Sequence, residues 1–380
     1  MIYLDNAATT WPKPEGVSEA VKDCIDRLGA NPGRGGHRLS VQAGAVLAKA
    51  RRALADLFGI RDPRNLFFYA NATQAINQAL KGLLQPGDHV VTSPWEHNAM
   101  ARPLEALKKE RGIRVTVVPP SRQGTVEPLS VEEALTPDTR LIAMTHGSNV
   151  TGAVLPIEEI GAIAVKHGVL LLVDAAQTAG VLPIDVEAMN IHLLAFPGHK
   201  GLFGPQGTGG LYVHPDVRMV PWIQGGTGSR SESLEHPSAR PEGFESGTPN
   251  TPGIAGLEAG VRFVTQTGLD TIHRREMALN DRLRSGLREM DGVQVYGPED
   301  SLLPVTSFNI EGVDSLTVAG ILDQHFEIAV RAGFHCAALA HRSLGTDKTG
   351  TVRVSPGYFN REKDIDDLLA ALREIRETLL

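Results

Sequence analysis

The sequence predicts an α/β fold: a large domain with a mostly parallel, seven-stranded sheet, then a smaller α+β C-terminal domain. Three observations predict it. Short apolar runs alternate with helix-length stretches, the rhythm of repeated strand–helix units. Runs such as Leu170-Leu-Leu-Val173 and Leu141-Ile-Ala-Met144 barely alternate in polarity, so these strands are apolar on both faces and belong under helices on both sides. A chain of 380 residues buries a large core and suits two domains.

The strands are read at Leu66–Ala70, His89–Ser93, Arg114–Val118, Arg140–Thr145, Val169–Asp174, His192–Phe196 and Gly209–Val213. Helices are read between them at Thr73–Leu83, Ala101–Arg111 and Ile157–Lys166. Ligands in such domains gather at the carboxyl ends of the strands. Pro221–Pro252 is rich in Gly, Ser and Pro and reads as a long loop, of a length that suggests function. Helices follow at Ile254–Thr267 and Leu269–Met290, then a strand at Pro304–Ile310, a helix near Ser315–His325 and a last helix from about Arg361. The large domain is expected over residues 15–258 and the small one over 259–380, joined by the segment 1–14.

The formal charge of −7 is spread without long runs, which gives no case for nucleic acid or a membrane surface. No apolar run approaches a membrane span. Met1–Thr10 lacks the basic and apolar stretches of a signal peptide. Two cysteines make no disulfide framework and fit a reducing cytoplasm. Their spacing is not that of a metal site.

Several polar residues end the expected strands. Asp174 follows Leu170-Leu-Leu-Val173. It either caps the next helix or aims a carboxylate at a pyridine nitrogen and keeps it protonated. Gln177 is either an exposed helix residue or a neighbour of that ring. Asn71-Ala72-Thr73 opens a helix. A helix start with a threonine hydroxyl suits a phosphate; the alternative reading of Thr73 is a plain cap. His97 is either a polar loop residue or a ring that stacks on an aromatic face. Asn149 either makes a turn or donates to an oxygen of a ligand. Lys200 lies in Phe196-Pro-Gly-His-Lys-Gly201, at a strand end amid glycines. It is either solvated or held in a cramped pocket that disfavours its ammonium, as a Schiff-base lysine needs.

The two cysteines differ. Cys24 lies on the apolar face of a helix and reads as a small core residue. Cys336, in Arg331-Ala-Gly-Phe-His-Cys-Ala337, follows a glycine and sits among basic groups, which suits a reactive thiol. Arg353 lies in the strand-like Thr351-Val-Arg-Val354. It forms either a structural salt bridge or a bidentate carboxylate site. Thr248 and Asn250 lie in the long loop and would complete a site within the subunit or across a dimer.

Taken together, these residues resemble the class V pyridoxal-phosphate-dependent aminotransferase family, in its cysteine desulfurase and selenocysteine lyase branch (group II-like). The resemblance runs through Tyr3-Leu-Asp-Asn-Ala-Ala-Thr-Thr10, Gly33-Arg-Gly-Gly-His-Arg-Leu-Ser40, Glu96-His97, Ser148-Asn149, Val173-Asp-Ala-Ala-Gln177, Gly198-His-Lys200, Gly247-Thr-Pro-Asn-Thr251 and Arg331–Ala337. It implies a fold type I enzyme and the cofactor pyridoxal 5'-phosphate. Lys200 is implied as the Schiff-base lysine, Asp174 as the partner of the pyridine nitrogen and His97 as the stacking ring. Gln177 and Asn149 would neighbour the ring oxygen. Ala72, Thr73, His199 and Thr248, the last from a partner subunit, would hold the phosphate. Arg353, Arg331 and Asn149 would bind substrate, and Cys336 would accept sulfur. The implied reaction converts L-cysteine to L-alanine and leaves a persulfide on Cys336. The implied assembly is a homodimer that passes sulfur to an acceptor protein.

Two departures stand out. Pro197 replaces the serine that many relatives carry two residues before the histidine, which removes a hydroxyl and an N–H. The stretch Ala337–Thr346 is not that of dedicated iron–sulfur assembly enzymes. Selenocysteine lyase, another class V reaction, or a non-catalytic sulfur carrier on this fold remain alternatives at this level.

Overall fold

The computed structural model describes residues 1–33 and 35–379; Arg34, inside the Gly33–Ser40 motif, and Leu380 lie outside the described residues. In chain order the chain forms β1 (Ile2–Tyr3), α1 (Glu15–Arg27), α2 (Arg38–Leu57), β2 (Leu66–Tyr69), α3 (Ala72–Leu83), β3 (His89–Thr92), α4 (Asn98–Arg111), β4 (Arg114–Val117), α5 (Pro128–Glu133), β5 (Thr139–Thr145), α6 (Ile157–His167), β6 (Leu170–Asp174), β7 (Leu193–Pro197) and β8 (Gly209–Val213). Then come α7 (Thr251–Thr267), α8 (Leu269–Arg288), β9 (Val293–Tyr296), β10 (Thr306–Ile310), α9 (Ser315–Phe326), β11 (Ile328–Ala329), β12 (Arg331–Gly333), α10 (Ala338–Leu344), β13 (Thr351–Val354) and α11 (Glu362–Leu379).

Strands β2 to β8 make a seven-stranded sheet in the order β2-β8-β7-β6-β5-β3-β4. The pairs β3·β4, β3·β5, β5·β6 and β6·β7 are parallel, and β8 runs antiparallel to both of its neighbours. Side chains alternate between two cores. Ile142, Met144, Leu171, Val173, Leu194 and Phe196 enter one face, against Leu54 of α2, Ile160 of α6 and Leu257 of α7. Leu141, Ala143, Leu172, Leu193 and Ala195 enter the other, against Ile76 and Leu80 of α3 and Met100 and Leu104 of α4. Both faces are therefore covered, as the unbroken apolar runs require.

The second sheet, β12-β13-β10-β9, is antiparallel. Phe308, Val352 and Val354 from it pack with Leu283 of α8, Leu322 of α9 and Leu368 of α11. α7 packs on α1 and α2. The N-terminal segment ties the two regions together. β1 pairs in parallel with β11, and Asp5 bridges to Ser355. Helix α2 has no counterpart in the sequence reading. Its buried residues include Ala43, Ala50 and Ala55, and such small side chains leave a faint apolar stripe in the sequence.

Candidate active site

The carboxyl ends of the strands converge on one cleft of about 210 Å³. β6 ends on Asp174, which lies beside Thr145 of β5 and Ala195 of β7 in the sheet register. β7 ends at Pro197 and turns through Gly198 and His199 to Lys200. β2 runs into Asn71, whose side chain accepts from Gln74 N and caps α3. This sets Ala72 and Thr73 at the wall of the cleft. After β3, His97 caps α4 by accepting from Ala99 N at its Nδ1 (3.0 Å). His97, Asn149, Gln177, His199, Arg331 and Arg353 also line the cleft. Gln177 is tethered by donating to Ala7 O (3.1 Å).

Burial sets the electrostatics. It pushes the Lys200 ammonium down to about 8; Arg353 adds to this, and Asp174 opposes it. It pushes the Asp174 carboxyl up, against the Ala176 N–H that donates to Oδ1 (2.9 Å) and the Lys200 charge. His97 is driven down to about 3 and His199 to about 4, in each case by burial first and then by Lys200. Both imidazoles are therefore neutral at neutral pH. His199 Nδ1 is buried without a hydrogen-bond partner.

Arg353 and Arg331 stand opposite each other in the pairing of β13 with β12. Arg353 is fully buried and donates from Nη2 to Asp5 Oδ1 (2.5 Å) and from Nη1 to Asn149 O (3.1 Å). Its Nε is buried without a partner. Arg331 Nη2 donates to Cys336 Sγ (3.3 Å). Cys336 is exposed, and both it and His335 have left-handed backbones, at φ 57° and 47°. Residues with a Cβ adopt that region at a cost, here held by three bonds. Asn149 Nδ2 donates to His335 O (2.7 Å), Asn98 N donates to Cys336 O (2.7 Å), and His335 Nε2 meets Thr351 Oγ1 (2.9 Å). The thiol loop is thus fastened to the start of α4, beside His97.

A family profile described as aminotransferase class-V matches residues 2–368. The chain belongs to that family. A probable cysteine desulfurase of Methanothermobacter thermautotrophicus is 38% identical over 380 residues, covering 98% of this chain and 94% of the relative. One of Pyrococcus abyssi is 35% identical and covers 100% of this chain and 95% of the relative. The apo structure of a cysteine desulfurase from Thermococcus onnurineus superposes with a TM-score of 0.92 at 34% identity, over 100% of this chain and 95% of that one.

Within this class V chain, the sequence-derived residues divide. Lys200, Asp174, Gln177, His97, Asn149, Ala72, Thr73, His199, Arg331 and Arg353 share the cleft. Thr248 is exposed on its loop and is not part of the cleft wall. Cys336 reaches the cleft through Arg331. Cys24 is buried in α1, and burial pushes its thiol up. Pro197 also lines the cleft, where it offers no donor.

Three residues went unassigned in the sequence reading. Glu96 is completely buried, accepts from Ser93 Oγ (2.5 Å) and Thr145 N (2.9 Å), and is pushed up to about 8 by burial. It anchors the turn that carries His97 to β5. Asp5 holds Arg353. Lys13 Nζ donates to His199 O (2.7 Å) and Thr10 Oγ1 (2.6 Å), so it pins the peptide leading into Lys200. Lys13 lies between Pro12 and Pro14 and Glu96 between Trp95 and His97, with no periodicity to mark them; only the fold shows what they touch.

Proposed function

We propose that the chain is a pyridoxal-phosphate-dependent cysteine desulfurase that converts L-cysteine to L-alanine and takes the sulfur on Cys336 as a persulfide. The observation that carries this reading is a buried lysine amine in the cleft and a thiol tied to its wall, where Arg331 lines the cleft and donates to Cys336 Sγ at 3.3 Å.

The residues fit the cofactor. A buried carboxylate such as Asp174 is stabilised by a ring N–H, and the depressed Lys200 amine suits an aldehyde. The α3 start with Thr73, together with the unpartnered His199 Nδ1, suits a phosphate. His97 supplies a neutral ring for stacking. Bound there, the cofactor supplies an electron sink next to the substrate's Cα.

The protein's own groups do the rest. Lys200 Nζ, which burial lets shed its proton more readily than an ordinary lysine, takes the Cα proton in its neutral form and returns protons to carbon. Arg353 binds the substrate carboxylate, with Asp5 and Asn149 O holding its fork. Arg331 keeps Cys336 Sγ at the mouth of the cleft. In the transfer, Cys336 Sγ bonds to the substrate sulfur as the Cβ–S bond breaks. That bonding pair stays on carbon, which takes a proton, and the net change is cysteine plus thiol to alanine plus persulfide. The exposure of Cys336 lets an acceptor protein collect the sulfur. The same reading makes the enzyme a homodimer, with Thr248 reaching a partner's phosphate site, and sets it in the cytoplasm. Among the described residues no helix is long and apolar enough to cross a membrane.

The test is incubation of the loaded enzyme with L-cysteine and, separately, with L-selenocysteine. Alanine and a persulfide on Cys336, read by mass spectrometry, are expected with cysteine. Alanine from selenocysteine alone, with Cys336 unmodified, would instead mark a selenocysteine lyase.

A further inference from the structure

A buried carboxyl that this mechanism leaves unused lies behind Lys200. Glu276, on α8, is 4% exposed. Burial pushes it up to about 8, against the Tyr358 backbone N–H that donates to it. It borders a second cavity, of about 30 Å³, together with Asn6, Thr10, Gln177, Lys200 and Ser355. Gln177 and Lys200 are walls of both this cavity and the main cleft.

A cavity larger than roughly 10–15 Å³ holds a water when polar groups surround it. Asn6, Gln177, Thr10, Ser355, Lys200 and Glu276 bring polar groups to this one, between apolar walls from Val181, Val305 and neighbouring alanines and prolines. Its wall is also well fixed. Thr10 Oγ1 donates to Lys200 O (3.0 Å), Asn6 Nδ2 donates to Ser355 O (3.0 Å) and Ala7 N donates to Ser355 Oγ (2.9 Å). Capping the Tyr358 N–H alone calls for an amide, which is cheaper to bury than an acid that must stay neutral. A carboxyl adds the capacity to exchange a proton.

We propose that Glu276 is a proton store for Lys200, exchanging a proton with its free amine through water in this cavity. In the forward step the carboxyl O–H bond breaks and an N–H bond forms, giving carboxylate and ammonium. The reverse step restores both neutral groups, and nothing is oxidised or reduced. The similar proton affinities of the two groups make the transfer close to even in free energy, which suits a shuttle. Glu276 acts through Lys200 and does not touch substrate, so it is a positioning and proton-supplying residue. The inference rests on reading Lys200 as the group that moves the Cα proton.

The experiment compares wild-type and Glu276→Gln holoenzyme by exchange of the Cα hydrogen of L-alanine in D2O, followed by proton NMR. Glutamine keeps the acceptor for Tyr358 N but cannot exchange a proton. Exchange is expected to slow by about tenfold or more, with cofactor absorbance and the thermal midpoint of the apoenzyme retained. Infrared spectra of the two apoenzymes near pH 7 should differ by one neutral-carboxyl band. Unchanged exchange, loss of exchange that merely follows lost cofactor, or no such band would each overturn the proposal. Exchange needs no thiol, so failure of the sulfur-transfer reading shows separately, as exchange without a persulfide.

Discussion

The strand-end cleft and the cysteine loop solve opposite problems. In the cleft, Asp174, Arg353 and the Lys200 amine are withdrawn from water, and burial is the first cause of their shifted proton affinities. Asp174 ends β6, Arg353 lies within β13 and Lys200 follows in the turn that leaves β7, so their positions derive from rigid ladders. Cys336 is exposed on a strained turn, fixed by single hydrogen bonds from α4 and Asn149. The cleft needs a low dielectric to tune acids and bases. On the proposed reaction the thiol is reached from both sides, by substrate from within and by an acceptor from outside.

The comparison breaks most severely at Lys200. Lys200→Ala should remove turnover by about 10⁴-fold or more and abolish the cofactor's bound absorbance; full activity in that variant would end the assignment. Cys336→Ala should cost desulfuration about 10²-fold or more yet leave absorbance and Cα exchange of L-alanine intact. Equal loss of all three would mean that loop and cleft are one unit. Asp5→Ala strands a fully buried guanidinium. It should lower stability by about 3 kcal/mol and raise KM for cysteine, both measurable by denaturant melts and kinetics. A stability change without a KM change would confine Arg353 to a structural role.

The smallest effect concerns pH. With the Lys200 ammonium down at about 8, roughly a tenth of the amine is neutral at pH 7, against about one part in three thousand for an ordinary lysine. The charged form is the one burial disfavours, so the neutral fraction grows as pH rises and saturates above the shifted value. The rate of pyridoxal phosphate uptake by the apoenzyme should therefore climb about tenfold from pH 7 and level off near pH 9. A climb that continued to pH 10 and beyond would place Lys200 in water.

Much of the sheet was legible. Gly209–Val213 matches its expected strand, and Leu66, His89 and Arg114 each begin theirs as read, because strands apolar on both faces leave unbroken runs. The reversed direction of β8 was not legible, since period and polarity are the same for either direction. Nor were β11 and β12, two- and three-residue strands that exist only through their partners. At the site, residues that end strands or open helices were visible because punctuation marks those places. Lys13, Asp5, Glu96 and Glu276 were not singled out. Each is a charged residue that no local pattern marks, with a partner or neighbour from an element far away in the chain.

By itself the sequence determined the layered α/β architecture, the strand ends that carry chemistry and the family to which the chain belongs, because these follow from local periodicity and from ordered motifs. Tertiary structure alone decided that Arg331 reaches Cys336, that Asp5 neutralises Arg353 and that Glu276 shares a cavity with Lys200. Those contacts join residues separated by up to hundreds of positions. Their energies come from burial and from distance, and neither quantity exists until the chain has folded.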